Sequence, residues 1–243
     1  MNNKISIVIR TYNEIKHIKE VLESLERQTY RNFDIVVVDS GSDDGTLDIV
    51  KNYKVSLVSI DKNDFNYSYA SNVGVANSDG NIVCFLSGHS VPAYSTYLEE
   101  INNVFSQSNI GAIYGDVIAL ADGSFHEKLY NYLGYLKNNI LGSKNKMQLE
   151  SKIHPGIFSC SNAAARKELL NRHPFQEELG QGGEDIEVAY RIIQDGYFIA
   201  KTPHILVKHS HGVNFRQFLK QLQDWKKMYS NVLNYIDGEK HCN

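Results

Sequence analysis

Apolar positions along the first half of the chain switch between two periods. Lys4 to Arg10 (KISIVIR) is a β-branched run, and Ile15, Ile18, Val21, Leu22 and Leu25 then recur at helical spacing. Asp34 to Asp39 (DIVVVD) is short and almost continuously apolar, the pattern of a strand covered on both faces. Val55 to Ile60 and Asn81 to Leu86 (NIVCFL) predict two further strands. Helices fit between them over Thr46 to Asn52 and Tyr67 to Ala76. Such alternation predicts an α/β fold built on a parallel sheet with right-handed crossovers. Ligands of these sheets bind beyond the carboxyl ends of the strands.

The second half is less regular. Ile110 to Ala121 predicts a strand interrupted by Gly-Asp, and Phe125 to Leu141 a helix rich in Tyr and Leu. Glu184 to Gln194 predicts another helix, and Phe198 to Lys208 two short strands turned at Pro203. A long amphipathic helix ends the chain, with Phe215, Phe218, Leu219, Leu222, Trp225, Tyr229, Val232, Leu233 and Ile236 as its apolar stripe. That stripe has the spacing of a helix packed on its own domain. The neighbouring Arg216, Lys220, Lys226 and Lys227 leave peripheral contact with an anionic membrane surface as the alternative. No repeat or Pro/Ser-rich linker divides the chain, so residues 1–243 are expected to form a single domain.

Composition narrows the class. The 243 residues are 42% hydrophobic and 22% charged, ordinary for a soluble globular protein. Lys plus Arg is 25 against 28 for Asp plus Glu, a net charge of −3 that argues against a nucleic-acid partner. Cys84, Cys160 and Cys242 are far apart and odd in number, which fits a reducing compartment better than a disulfide framework. The sequence MNNKISIVIR has no apolar signal core, and no stretch approaches the ~20 residues of a membrane span. The expected location is therefore cytoplasmic, with any lipid contact peripheral and at the inner face of the membrane.

Polar residues cluster where the strands end. The first strand runs into Arg10-Thr11-Tyr12-Asn13-Glu14, the second into Asp39-Ser40-Gly41-Ser42-Asp43-Asp44-Gly45-Thr46, and the fourth into Ser87-Gly88-His89-Ser90. One such loop is ordinary turn chemistry. Three on one sheet edge point to a nucleotide site. Neither a G-x-G-x-x-G nor a G-x-x-x-x-G-K-[ST] phosphate motif is present, which weakens dehydrogenase and NTPase readings.

These segments resemble the family 2 glycosyltransferases of the GT-A fold. SIVIRTYNE is similar to the family's opening strand and turn, and VVVDSGSDDGT to its nucleotide-binding strand end. YASNVGVANSDGNIVCFLSGHSVP resembles the Asn-x-Gly segment and metal-motif strand. SCSNAAARKELL followed by PFQEELGQGGEDIEVAYRIIQDGY resembles the acceptor-side segment and Glu-Asp helix. The arrangement most resembles a rhamnosyltransferase-like bacterial branch that builds surface polysaccharides.

The resemblance implies a Rossmann-like, mostly parallel central sheet flanked by helices, with an elaborated C-terminal half. Residues 1–90 would bind the nucleotide sugar, 91–212 face the acceptor, and 213–243 form the terminal helix. It implies inverting, non-processive transfer of one sugar from a UDP- or dTDP-sugar to a glycan or lipid-linked acceptor. A non-catalytic GT-A domain that binds nucleotide or glycan, or scaffolds an enzyme, is the alternative. By motif position Asp185 is the base that takes the acceptor proton, with Glu184 orienting the acceptor. Thr11, Asn13, Glu14, Asp39, Ser40, Asn72, Ser87 and Gly88 would line the nucleotide-sugar site.

The departure lies at the metal motif. The family usually carries Asp-x-Asp there, where this chain has Ser87-Gly88-His89. The polypeptide GalNAc-transferases resemble this substitution, with Asp-x-His and a later His. His89 is accordingly an expected metal ligand, with His209 as the second and His211 as its understudy; the alternative is that one of these two donates directly to the diphosphate. Imidazole shifts preference toward transition metals, so Mn²⁺ is expected over Mg²⁺, with metal-independent transfer as the alternative. Arg10 replaces a frequent Pro and could meet a phosphate or tie down the strand end.

Overall fold

The computed structural model describes residues 3–136, 147–179 and 182–242. Within them a nine-stranded sheet runs in the order β3-β2-β1-β4-β8-β6-β9-β5, with β7 paired to β9 off this path. The first four of these are β3 (Ser56–Ser59), β2 (Phe33–Asp39), β1 (Ile5–Thr11) and β4 (Ile82–Ser87). They pair in parallel, as their alternation with helices requires.

Beyond β4 the sheet turns mixed. Strand β8 (Asn162–Arg166) runs antiparallel to both β4 and β6 (Ile110–Ile118). β6 then pairs in parallel with β9 (Phe198–Lys208), and β5 (Val91–Pro92) and β7 (Gln148–Glu150) add antiparallel to β9. The alanine run in β8 lacks the bulk that flags a strand by pattern, yet Ala163, Ala164 and Ala165 are fully buried.

Strand β1 shows how the two layers form. Ile5, Ile7 and Ile9 pack with helices α1 (Ile18–Glu26) and α4 (Tyr97–Val104), while Val8 faces α3 (Tyr67–Ala76). Burying each such side chain contributes about 1.5–3 kcal/mol. Gly74 permits the close approach of α3, since a Cβ there would lie 2.3 Å from Val8 Cγ1. The expected helix from Ile15 begins only at Ile18, and Ile15 is exposed beside the glycine turn that starts the short α2 (Thr46–Val50).

One expectation for the second half changes. Phe198 to Lys208 is one strand, not two. Between the pairs Thr202–Gly115 and Val207–Val117, β9 carries four residues where β6 carries one. Pro203 sits in that bulge, where its missing N–H breaks no regular ladder bond. The Tyr-rich helix α5 runs over Phe125–Leu136, and the predicted residues 137–141 lie outside the described residues.

Three helices complete the fold: α6 (Lys167–Arg172), α7 (Glu184–Gln194) and α8 (Phe215–Cys242). The terminal helix α8 packs through Phe218, Val232 and Ile236, while Phe215, Leu219, Trp225 and Leu233 remain exposed. Among the described residues no helix is long and apolar enough to cross a membrane.

Candidate active site

The carboxyl ends of β1, β2 and β4 lie side by side: Thr11 pairs with Asp39, and Arg10 with Ser87. The first two loops are laced together. Asn13, at φ 54°, donates from its backbone N–H to Ser42 Oγ at 2.9 Å and exchanges side-chain bonds with Asp43. Asp39 is buried and accepts from the Gly41 and Ser42 N–H groups and the Ser42 hydroxyl. Its carboxylate thus organises its own turn. Thr11 Oγ1 and Ser40 Oγ are buried at this edge without a hydrogen-bond partner, a state that burial makes costly.

Asn72 departs from its expected position in the donor pocket. Its amide donates to Phe175 O at 2.9 Å and accepts from Phe175 N at 3.0 Å, so both ends are committed to a backbone tie between α3 and the segment after α6.

The three histidines come together, with one ligand atom from each within 4.8 Å of the others. Strand β5 explains this, because Val91 pairs with Lys208 and brings the Ser87–Ser90 corner beside His209. The His89 and His209 rings stack at 4.4 Å, and His211 stands edge-on to both. Burial, reinforced by its two histidine neighbours, holds His209 well below the usual imidazole range. Burial and then His89 also lower His211. Both nitrogen sets are thereby kept neutral, the form that binds metals.

Three further residues hold this cluster: Ser87, expected instead to line the nucleotide-sugar site, and Ser90 and Glu127, to which sequence assigned no role. Ser87 and Ser90 place hydroxyls 3.3 and 3.1 Å from His209 Nδ1. Glu127 accepts from the His211 N–H at 2.9 Å while closing a box with Ser124. Burial would raise Glu127, but those hydrogen bonds prevail and its carboxyl is lowered. The Ser124-x-x-Glu127 spacing was the available signal, since it is a helix capping box.

The acidic pair opens α7, behind Gly183 at φ 94°. Glu184 is buried and meets Arg10 at 3.5 Å. Arg10 also bonds Ser71 Oγ and the Cys160 carbonyl, which decides its role as a tie rather than a free phosphate contact. Asp185 is pushed up to about 8, by burial first and then by the adjacent Glu184 charge. A carboxyl so placed exchanges its proton near pH 8, close to the working range of general acid–base groups. Arg10 links this pair to the histidine corner, because its carbonyl accepts from the Gly88 N–H at 2.9 Å.

Residues 6–173 match the model of "Glycosyl transferase family 2". The chain belongs to this family. This glycosyltransferase is 29% identical over 226 residues to the O-antigen chain rhamnosyltransferase RfbN of Salmonella typhimurium, covering 91% of this chain and 71% of the relative. It has the GT-A fold of two solved enzymes. One is glucosyl-3-phosphoglycerate synthase from Mycobacterium tuberculosis, solved with Mn²⁺, UDP and phosphoglyceric acid (TM-score 0.66, 18% identity, 95% of this chain and 77% of that one). The other is the mannosyltransferase PcManGT from Pyrobaculum calidifontis, solved with GDP-Man and Mn²⁺ (TM-score 0.64, 22% identity, 86% of this chain). The chain spans 57% of the length of that second protein.

Proposed function

We propose that this glycosyltransferase moves a single sugar, with inversion, from a nucleoside-diphosphate donor to a hydroxyl of a glycan or lipid-linked acceptor in surface-polysaccharide synthesis. The observation that carries the reading is one connected corner. Arg10 joins the Glu184–Asp185 pair to the strand end that bears His89. A proton acceptor and a candidate cation site are therefore held by one element.

Asp185 would take the acceptor hydroxyl proton as the new bond forms. Glu184, fixed by Arg10, would orient the acceptor. Thr11 and Ser40 offer buried hydroxyls to the donor at the strand edge, and Asn13 and Asp39 hold the turns that present them. The donor in this reading is a UDP- or dTDP-linked sugar, and the relative RfbN is named a rhamnosyltransferase.

The residues fit a divalent cation. His89 Nε2 is buried without a partner, and three imidazole nitrogens converge. His89, His209 and His211 would hold the ion, with Mn²⁺ preferred over Mg²⁺ because nitrogen donors suit transition metals. Bound there, a divalent cation supplies positive charge to a leaving diphosphate.

Calorimetry with UDP, dTDP and GDP, each in Mn²⁺, Mg²⁺ or EDTA, tests the proposal. Binding of one nucleotide that requires Mn²⁺ is expected. Equal binding in EDTA would remove the cation from the reading, and no binding of any nucleotide would overturn it.

A further inference from the structure

Glu14 was expected to line the nucleotide-sugar site, but its side chain goes elsewhere. Its Oε1 lies 2.6 Å from His89 Nδ1, and both side chains are largely withdrawn from water. The backbone that carries it is fixed as well, since the Glu14 N–H donates to Thr46 Oγ1 at 2.8 Å. Gly88 makes room for it. A Cβ at residue 88 would lie 2.7 Å from Glu14 Cγ and 2.8 Å from Thr11 Oγ1.

With Nδ1 taken, Nε2 is the ring nitrogen of His89 left for an ion, and that atom is buried with no partner. His209 follows the same rule, its Nδ1 lying within reach of Ser87 and Ser90. A carboxylate on the far nitrogen of a histidine fixes the tautomer and raises the basicity of the near one. It also keeps the Glu14 charge one ring removed from an anionic diphosphate, where direct contact would be repulsive.

We infer that Glu14 is a positioning residue that holds His89 in the Nδ1–H tautomer, so that Nε2 presents its lone pair, and that it lends the three-histidine centre the negative charge its donors lack. The inference rests on reading the three histidines as a cation site. Glu14 therefore replaces, one layer out, part of the charge of the missing Asp-x-Asp carboxylates.

Two measurements test it. Nitrogen-edited NMR of the histidine rings in the metal-free wild type reads the tautomer directly, with no variant needed. His89 is expected with its proton on Nδ1, and a proton on Nε2 overturns the inference. Mn²⁺ alone is then titrated into wild type, Glu14→Gln and Glu14→Ala. Loss of a partner of this kind weakens metal affinity about 10- to 100-fold, with Gln at the lower end because its carbonyl still accepts from Nδ1. Nucleoside diphosphate binding measured at saturating Mn²⁺ is expected to stay within about twofold. Unchanged Mn²⁺ affinity in both variants overturns the inference. A wild type with the expected tautomer that binds no Mn²⁺ refutes the cation reading instead, and with it the electrostatic part of the Glu14 role.

Discussion

Replacing Asp185 with Asn removes one ionisable oxygen and little volume, and it separates two consequences of the same burial. In catalysis, loss of a positioned base costs about 10²- to 10⁴-fold in turnover, while donor affinity stays near wild type. In stability the sign reverses. Asp185 is raised from 3.8 to about 8, so between those values the folded state keeps a proton that the unfolded chain has released. Stability therefore falls as pH rises through that window and levels off above it. About four units at about 1.4 kcal/mol each set a ceiling near 6 kcal/mol, and part of it reports the Glu184 charge. A gain of about 1–3 kcal/mol at pH 9 is expected for Asp185→Asn, equivalent to roughly 3–10 °C in melting temperature, with almost none at pH 4. The assays are thermal unfolding of both proteins from pH 4 to 9 and the pH profile of kcat/KM. The wild-type kcat/KM should rise with a midpoint near pH 8 and level off about one pH unit higher. An Asn variant that keeps a tenth of the turnover, or that melts with the wild-type pH slope, refutes the assignment of Asp185 as a half-buried base.

Further outcomes follow from neighbouring contacts. Arg10→Ala leaves Glu184 buried without its cation, which should cost about 3–5 kcal/mol in urea denaturation, and pairing it with Glu184→Gln should recover much of that loss. Arg10 also lowers Asp185, so the base limb of the rate profile should move to higher pH in Arg10→Ala. Gly88→Ala drives a Cβ into Glu14 and Thr11 and should cost about 1–3 kcal/mol, with Mn²⁺ affinity falling to the level of the Glu14 variants. His209→Ala removes a neutral donor from a half-buried cluster, and loss of Mn²⁺ binding by calorimetry, with the fold retained by circular dichroism, is the expected result.

The parallel half of the fold was legible because its strands are buried on both faces and its loops carry polar runs at every strand end. Helices α3 and α7 match their predicted spans to the residue. What pattern could not reveal was the antiparallel insertion of β8, whose alanines carry no strand signature, or the single β9, whose Pro203 reads as a breaker until its bulge is seen. The site divides the same way. Motif position brought His89, His209 and His211 forward together, and they meet. Asn72 and Glu14 share that motif logic, yet each is spent on a tertiary partner far along the chain, Phe175 and His89. Spacing alone cannot choose between a ligand and such a partner.

The family match ends at residue 173, while Asp185, His209 and His211 all lie beyond it. The matched stretch supplies the strand edge, Glu14, Gly88 and His89. The remainder supplies the acid pair and the other two histidines. Each histidine is anchored by a different element: His89 by the β1 loop through Glu14, His209 by β6 through its N–H to Ile118 O at 2.8 Å, and His211 by α5 through Glu127. A three-point centre of this kind forms only when the second half closes on the first. The substitution of Asp-x-Asp by Ser-x-His is thus a property of the whole sheet, because it requires a carboxylate behind His89, a glycine to let that carboxylate pass, and β5 to deliver His209.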